Sequence, residues 1–354
     1  MKKIAMFNHK GGVAKTTTTF HLGWMLADLG FRVMLVDCDP QCNLTGAFLG
    51  EFEGDEYPFE SNDPKAPLNI REAVAPAFDS RPYPISPVKL QIVDACPNLF
   101  YLPGHVSLAE YESQLAVAHE LSNSLSALQN IPGALHHAIE VTGKANKIDI
   151  AIIDMSPSLG ALNQNLFMTS DAFIIPMAPD LFSAMALSSL SRVLLRWSDW
   201  SKKASANSIL RVADYPFPES HPMYLGAIVQ NYRKRSRGEE EAKPTKAFQR
   251  WFDRLNIVKD TQLLTSMCSA GMLLTNAQYQ KAAAPTNSFL MEIASFDSLM
   301  AEAQEAKKPV FALQTSTDIK SSGVVAEQQQ AKIEDVKNQF LSGAKKIEAL
   351  LKEF

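Results

Sequence analysis

Short apolar runs alternate with amphipathic stretches along most of the chain. The runs at 2–8, 32–38 and 149–155 are nearly continuous in apolar residues, which predicts strands of a parallel sheet covered on both faces. Further strands are predicted at 98–102, 172–178, 225–231 and 309–313. Between the first two runs, apolar residues recur at helical spacing over 16–29, and Gly30 stands where a helix would end.

This order of elements predicts the fold class. A strand, a glycine-containing loop, a helix and a second strand within about 35 residues form a βαβ unit. We therefore expect one α/β domain over residues 1–315, a doubly wound, mostly parallel sheet flanked by helices, with ligands at the carboxyl ends of the strands. The segment at about 50–88, rich in acids, prolines and aromatics, is predicted to be an insertion.

The last residues predict a helix with one apolar stripe. Apolar side chains recur every three or four residues over 333–354. We expect segment 316–354 to be helical and to pack on the domain or on a dimer partner. Its polar face mixes acids and lysines, such as Glu348 and Lys352, which is unlike a basic helix that lies on a membrane surface.

Composition narrows the class of protein. Hydrophobic residues make up 46% and charged residues 20%, with a formal net charge of −4. This balance disfavours a protein that coats nucleic acid with its whole surface, but it allows a local basic patch. The four cysteines are too scattered for a disulfide scaffold, and no apolar window is long enough for a membrane span. A soluble, cytoplasmic protein is expected.

The loop between the first strand and the first helix has the chemistry of a triphosphate site. Glycines let backbone N–H groups approach phosphate oxygens, and the helix N-terminus adds partial positive charge. Lys15 is placed to reach the β- and γ-phosphates, and the Thr16 hydroxyl to ligate Mg²⁺. The alternative is a glycine turn with two solvated lysines. The predicted ATP- and Mg²⁺-binding loop consists of Lys10, Gly11, Gly12, Val13, Ala14, Lys15, Thr16 and Thr17.

The pattern G-x-x-x-x-G-K-[ST] is broken at both glycine positions, which His9 and Ala14 occupy. Residues 10–17 instead resemble the deviant Walker A motif of the ParA/MinD ATPases, with Lys10 as the signature lysine. The resemblance implies that Lys10 reaches the nucleotide of a partner subunit in an ATP-bound homodimer, as an arginine finger does elsewhere. Ala14 departs from the usual glycine: a negative φ would accommodate it at little cost, and a positive φ would strain the loop.

Two later segments resemble the other nucleotide motifs of the family. Residues 36–45 are similar to switch I, which implies that Asp39 positions the attacking water and that Asp37 helps to hold the Mg²⁺ shell. Without the resemblance, these acids could equally cap a helix. Residues 152–160 are similar to Walker B followed by switch II, which implies that Asp154 is a metal-side acid. The alternative is a structural carboxylate.

Weaker signals lie elsewhere. Residues 103–109 match a family landmark that precedes a helix. Asn231 aligns with a strand end that meets the adenine in relatives, since an amide both donates to and accepts from a purine edge. A turn residue at the end of a strand explains Asn231 as well.

A basic cluster provides a candidate DNA surface. The alternative is that these residues form a solvated loop whose charge is balanced by the acids at 239–241. Exposed cations on one side of a dimer would form a phosphate-binding footprint. A second group of cations occurs on or after a predicted helix, at Arg192, Arg196, Lys202 and Lys203. The candidate DNA-binding residues are Arg233, Lys234, Arg235 and Arg237.

The resemblance therefore implies a dimeric switch ATPase for DNA partitioning or intracellular positioning. It would bind DNA non-specifically in its ATP state, associate with the nucleoid, and hydrolyse ATP when a ParB-like protein activates it. The catalytic residues would be Lys10, Lys15 and Asp39. Two alternatives remain open: a nucleotide-gated regulator or repressor with negligible turnover, and a MinD-like regulator recruited to membranes.

Overall fold

The fold is described from a computed structural model, which covers residues 1–50, 57–121, 126–235, 243–319 and 323–354, without the side chains of Arg235 and Lys243. Within these residues, eight strands form the main sheet and two form a small ribbon. The strands are β1 (Lys2–Met6), β2 (Val33–Asp37), β3 (Gln91–Ile92), β4 (Leu99–Leu102), β5 (Ile150–Asp154), β6 (Ala172–Met177), β7 (Met223–Tyr232), β8 (Lys234–Arg235), β9 (Lys243–Pro244) and β10 (Met291–Ala294).

The main sheet has the order β10-β7-β6-β1-β5-β2-β4-β3. Every pairing in it is parallel except that of β3 with β4. On one side of β1 lie β5, β2 and β4, and on the other side lie β6, β7 and β10. The strand order therefore reverses next to β1. In such sheets the crevice at the carboxyl ends of the central strands is the ligand site.

Helices cover both faces of the sheet. Before β5 they are α1 (Lys15–Asp28), α2 (Asn43–Leu49), α3 (Ile70–Phe78), α4 (Tyr111–Leu121) and α5 (Ile131–Ala145). After it they are α6 (Ala161–Met168), α7 (Leu181–Ala206), α8 (Ser208–Arg211), α9 (Lys246–Val258), α10 (Leu264–Ala270), α11 (Asn276–Lys281), α12 (Leu299–Ala306) and α13 (Val324–Leu351). A π-helical turn (Lys259–Leu263) joins α9 to α10.

The doubly wound α/β class predicted from the sequence is confirmed, with hydrophobic cores on the two faces of the sheet. The nearly continuous apolar strands β1, β2, β5 and β6 are buried along almost their whole length because helices cover both sides. The predicted strand at 309–313 is wrong, since Val310–Ala312 form a 3₁₀ turn. The strand at that edge of the sheet is β10, which pairs with β7.

The C-terminal helix α13 packs on the domain. Its apolar stripe, including Ile333, Val336, Phe340 and Ile347, is buried, and it lies against α1 and β10. A Cβ atom at Gly343 would lie 1.9 Å from the Met291 sulfur, so the helix approaches the edge strand closely. In the described part of the chain, no helix combines the length and apolar character that crossing a bilayer requires.

Candidate nucleotide-binding site

The loop that joins β1 to α1 is held from outside by neighbouring elements. Asn8 donates from its side chain to the carbonyl oxygen of Pro176 at 2.9 Å, and the N–H of Lys10 donates to Asn8 Oδ1 at 3.0 Å. Gly12 has a φ of +70°, and an added Cβ would meet nothing within 4 Å. The glycine therefore serves the backbone conformation and leaves the space before the loop open.

Ala14 adopts the left-handed conformation, with φ of +52° and ψ of +40°. Of the two alternatives set by the sequence, the structure has the strained one. A non-glycine residue in this region costs about 1–2 kcal/mol, so the surrounding contacts must hold the loop in this shape.

A cavity of about 1210 Å³ opens in front of this loop. Residues 11–17 form one wall, and Asp39 and Gln41 form a second. The far end lies between α1, at Phe20 and His21, and the α12 region around residues 300–308. The volume is sufficient for a nucleoside triphosphate, and residues 11–17 form the wall that is predicted to face its phosphates.

The two predicted metal-side acids come from adjacent strands. Asp37 ends β2, Asp154 ends β5, and the two residues are paired in register. The Asp37 carboxylate is already occupied: Oδ2 accepts from the N–H of Thr45 at 2.8 Å and from its hydroxyl at 2.7 Å. Oδ1 accepts from the N–H of Asp39 at 3.2 Å. Asp37 thus fixes the backbone that carries Asp39 and the start of α2.

Asp154 has a different environment. Its Oδ1 accepts from the Thr19 hydroxyl at 3.5 Å, whereas Oδ2 is buried without a hydrogen-bond partner. Burial, together with the negative charge of Asp37, raises the pKa of Asp154 to about 8. A buried, unpaired carboxylate oxygen is unfavourable unless a cation or water satisfies it. The nearby Thr16 hydroxyl acts in the opposite direction and lowers the pKa of the same carboxyl, so the oxygens of Thr16 and Asp154 form a donor set that fits Mg²⁺.

The Lys15 side chain lies in the same buried region. Burial lowers the pKa of Lys15, while the charges of Asp154 and Asp39 oppose that effect. Burial and the neighbouring Lys15 also lower the pKa of His9, whose Nδ1 is buried and unpaired. Lys15 therefore lines the cavity within the electrostatic influence of Asp154 and Asp39, and phosphate oxygens there would give its ammonium group direct partners.

Lys10 points elsewhere. Its ammonium group pairs with Asp180 and contacts the Ser183 hydroxyl at 3.2 Å. Asp180 is also the N-cap of α7, because its carboxylate accepts from the N–H of Ser183 at 2.8 Å. In this conformation Lys10 is bound to its own chain and does not line the nucleotide cavity.

The remaining predicted residues are more dispersed. Asn231 is exposed at the end of β7, with a φ of +63°, and lies outside the cavity lining. Lys234 forms an ion pair with Asp335 of α13 at 2.9 Å, and Arg233 is exposed. Arg237 and the side chain of Arg235 lie outside the described residues. The roles of Asn231 and of the basic cluster stay predictions.

Sequence reasoning missed two residues that shape the site. Gln230, next to Asn231, is buried against the phosphate loop. Glu112 of α4 accepts hydrogen bonds from the N–H groups of Ala161 and Leu162, at the start of α6. An added Cβ at Gly160 would lie 2.1 Å from Glu112 Oε1, so the glycine permits this contact. Neither Gln230, at the end of a strand, nor Glu112, within a helix, belongs to a sequence pattern that would predict a contact with so distant a part of the chain.

Most residues of this site lie in a part of the chain that matches a known protein family. The AAA domain family matches residues 1–205, more than half of the chain, so the chain belongs to that family. It is 34% identical over 191 residues to the sporulation initiation inhibitor protein Soj of Bacillus subtilis, covering 53% of this chain and 63% of Soj. It is 28% identical over 197 residues to the chromosome partitioning protein ParA of Caulobacter vibrioides, covering 55% and 63%.

A solved structure agrees in fold over the whole chain. The ATP complex of a McdA variant from Cyanothece aligns with a TM-score of 0.55 and 16% identity, covering 96% of each chain. With the family match over residues 1–205 and the likenesses to Soj and ParA, the predicted membership in the ParA/MinD family of P-loop ATPases is confirmed. The aligned part spans less than two-thirds of Soj and of ParA.

Proposed function

We propose that this protein is a ParA-type switch ATPase, which binds ATP with Mg²⁺, dimerises in that state, binds DNA non-specifically and hydrolyses ATP to ADP and phosphate. One observation carries the proposal: the phosphate loop, Lys15 and Asp39 line one cavity of nucleotide size, and the buried Asp154, with its unpaired oxygen, is close enough for its charge to act on Lys15. Soj and ParA, which the chain resembles, are named for sporulation control and chromosome partitioning, and McdA was solved with ATP.

The chain's own residues divide the chemical work. The N–H groups of residues 11–16 and the Lys15 ammonium hold the phosphates in line for transfer. Thr16 and Asp154 would hold Mg²⁺, with Asp37 fixing the surrounding backbone, and the ion would neutralise charge on the β- and γ-phosphates. Asp39 orients the water whose oxygen bonds to the γ-phosphorus as the bond to the β–γ bridging oxygen breaks.

Dimerisation is supported by the surface beside the phosphate loop. The first turns of α7, which carry the Asp180 partner of Lys10, expose Phe182 to 66% and Met185 to 58%. Leu159, at the end of the switch II segment, is also exposed. Exposed apolar side chains that adjoin a charged site are typical of a protein interface. A second subunit would cover them and bring its own Lys10 to this nucleotide.

DNA binding is supported by two rows of exposed cations on helices that pack together, α7 and α9. On α7, Arg192 and Arg196 are four residues apart and both exposed. On α9, Lys246, Arg250 and Arg254 recur every four residues and are likewise exposed, so they share one helix face. The α9 row was not among the residues singled out from the sequence, and it extends the proposed phosphate-binding surface.

The test is DNA binding by the purified protein with ATP, ADP or no nucleotide, across a salt series. We expect binding only with ATP, falling steeply with salt by a slope of about 0.9 per phosphate contact. Replacing Arg250 and Arg254 by Glu should weaken binding and flatten the salt slope. Lys15→Ala should abolish ATP binding and hence DNA binding. Absence of DNA binding in every nucleotide state of the unmodified protein rejects the DNA carrier.

A regulator with negligible turnover is the second candidate, and the left-handed Ala14 favours it, because a strained phosphate loop is a physical reason for slow chemistry. ATP turnover with DNA and a ParB-like activating protein distinguishes the two. Stimulated phosphate release supports the partitioning ATPase, whereas tight ATP binding without release supports the regulator.

A further inference from the structure

A side chain from a strand two places away from β1 in the sheet holds the phosphate loop in its left-handed conformation at Ala14. Gln230 lies at the carboxyl end of β7, and β6 separates β7 from β1. It is only 2% exposed. Its Nε2 donates to the carbonyl oxygen of Val13 and lies 3.3 Å from that of Ala14. Its Oε1 lies 2.9 Å from the Thr18 hydroxyl, whose oxygen is also 2.8 Å from the Ala14 carbonyl.

These contacts set the direction of two peptide groups. In a trans peptide, the C=O and the following N–H point to opposite sides. Because Gln230 holds the carbonyls of Val13 and Ala14, the N–H groups of Ala14 and Lys15 are directed away from it. The opposite side is the cavity, which residues 13–15 line. The amide of Gln230 therefore determines where two phosphate-binding donors point.

The same contacts act on the residue that needs support. Ala14 has a φ of +52°, a conformation in which its Cβ atom is sterically unfavourable and which a glycine would adopt without that penalty. Without Gln230, its carbonyl would keep only Thr18, through the helical N–H at 2.9 Å and the hydroxyl. Relaxation of Ala14 towards negative φ would then rotate the adjoining N–H groups out of the donor row.

We propose that Gln230 is a positioning residue for ATP binding, and that it compensates for the missing glycine at position 14. The inference rests on the proposed function, because it assigns Gln230 a part in binding the triphosphate. The proposal predicts that the loss of ATP affinity on replacing Gln230 depends on which residue stands at position 14.

The experiment is a double-mutant cycle on the full chain, with ATP and ADP affinities measured by calorimetry. Gln230→Met, which keeps the length but removes the amide, should weaken ATP binding about tenfold, equal to ~1.4 kcal/mol. In the Ala14→Gly background the same change should cost less than about threefold, because glycine adopts the left-handed conformation unaided. Equal losses in both backgrounds, or no loss in either, overturn the proposal.

A matched variant controls for general destabilisation. Asn69 is another buried amide, which caps α3 and donates to the carbonyl oxygen of Phe59 at 2.7 Å, away from the loop. Asn69→Ala should lower the melting temperature and leave ATP affinity unchanged. A loss of affinity as large as that of Gln230→Met would mean that affinity follows stability alone and would overturn the positioning role.

Amide hydrogen exchange without nucleotide separates this inference from the proposed function. Gln230→Met should speed exchange over residues 11–18 relative to the unmodified protein, whether or not ATP binds. If the unmodified protein binds no ATP, the proposed function fails. Unchanged exchange in the variant would show instead that the hydrogen bonds of Gln230 do not hold the loop.

Discussion

At the scale of single residues, the ion pair between Lys10 and Asp180 opposes the trans role proposed for Lys10 in a dimer. Partial burial raises the pKa of Asp180, but the hydrogen bonds that its carboxylate accepts from Lys10 and Ser183 outweigh burial, and the net pKa is lowered. The acid is therefore charged at neutral pH and holds Lys10. A trans role for Lys10 requires that this ion pair first be broken.

We expect Asp180→Asn to favour ATP-dependent dimerisation, because asparagine still caps α7 but releases the lysine. The pair is partly exposed and so contributes up to about 1 kcal/mol, which is up to about fivefold in the dimerisation constant for each of the two subunits that release Lys10. Analytical ultracentrifugation with ATP measures the change. Asp199→Asn, an exposed acid on the same helix, is the matched charge control. Weaker dimerisation of Asp180→Asn than of this control would contradict the prediction.

The same scale shows what the sequence could reveal. The places of Lys15 and Thr16 at the start of α1 and of Asp154 at the end of β5 were predictable because each lies in a short run with a clear strand or helix context, while their roles stay predictions. The sign of φ at Ala14 was not, because either hand is compatible with the residues around it. Gln230 was also out of reach, since it is 216 residues from Ala14 in sequence and the contact exists only once β7 and β1 share a sheet.

At the scale of elements, His21 joins α1 to the C-terminal part of the chain. Its Nδ1 donates to the Thr17 carbonyl at 2.8 Å, and its Nε2 accepts from the N–H of Val310 at 3.0 Å. Its ring stacks on Phe296 and Phe340, with centroids at 4.9 and 5.2 Å. Both nitrogens are used in the neutral form, and burial lowers the pKa of His21 to about 4.

This environment predicts a pH dependence of stability. Between the unfolded pKa of about 6.5 and the folded value of about 4, the unfolded chain binds more protons at this site. Stability from His21 is therefore complete above pH 6.5 and is lost as pH falls towards 4. Between pH 7 and pH 5 the loss should be about 2 kcal/mol.

Urea unfolding of His21→Asn at both pH values is the measurement. The variant should lose about 2 kcal/mol less than the unmodified protein on going from pH 7 to pH 5. Other buried histidines, such as His119 and His136, contribute equally to both proteins and cancel in the comparison. His221→Asn, at an exposed position, should keep the full dependence. Identical pH slopes for His21→Asn and the unmodified protein would refute the assignment.

Elements also differ in how well the sequence predicted them. The strands β1, β2 and β5 were predictable because long apolar runs have few alternatives in an α/β pattern. β10 has only four residues and an exposed Glu292, so its apolar content was too small to stand out. The apolar residues at 309–313 belong instead to a 3₁₀ turn, whose side chains Val310 and Phe311 fill the core beside α13.

At the scale of the whole molecule, α13 closes the core of one face and is therefore not a free amphipathic helix. Phe340 is fully buried and contacts His21 and Phe311, so that the end of the chain lies behind the nucleotide cavity. The sequence left open whether this helix packs on the domain or elsewhere, because a stripe of apolar residues records only that something covers it.

We expect Phe340→Ala to destabilise the folded protein by about 3–5 kcal/mol, as for other large aromatic side chains removed from a core. Val325→Ala, at a position of the same helix that is 55% exposed, should change stability by less than about 0.5 kcal/mol. Chemical unfolding measures both changes.

Vesicle co-sedimentation with ATP tests whether α13 binds lipid. Since the stripe is buried in the subunit, the unmodified protein should stay in the supernatant. Sedimentation with vesicles, together with an unchanged stability of Phe340→Ala, would mean that α13 leaves the core to bind lipid and would favour the membrane-recruited alternative.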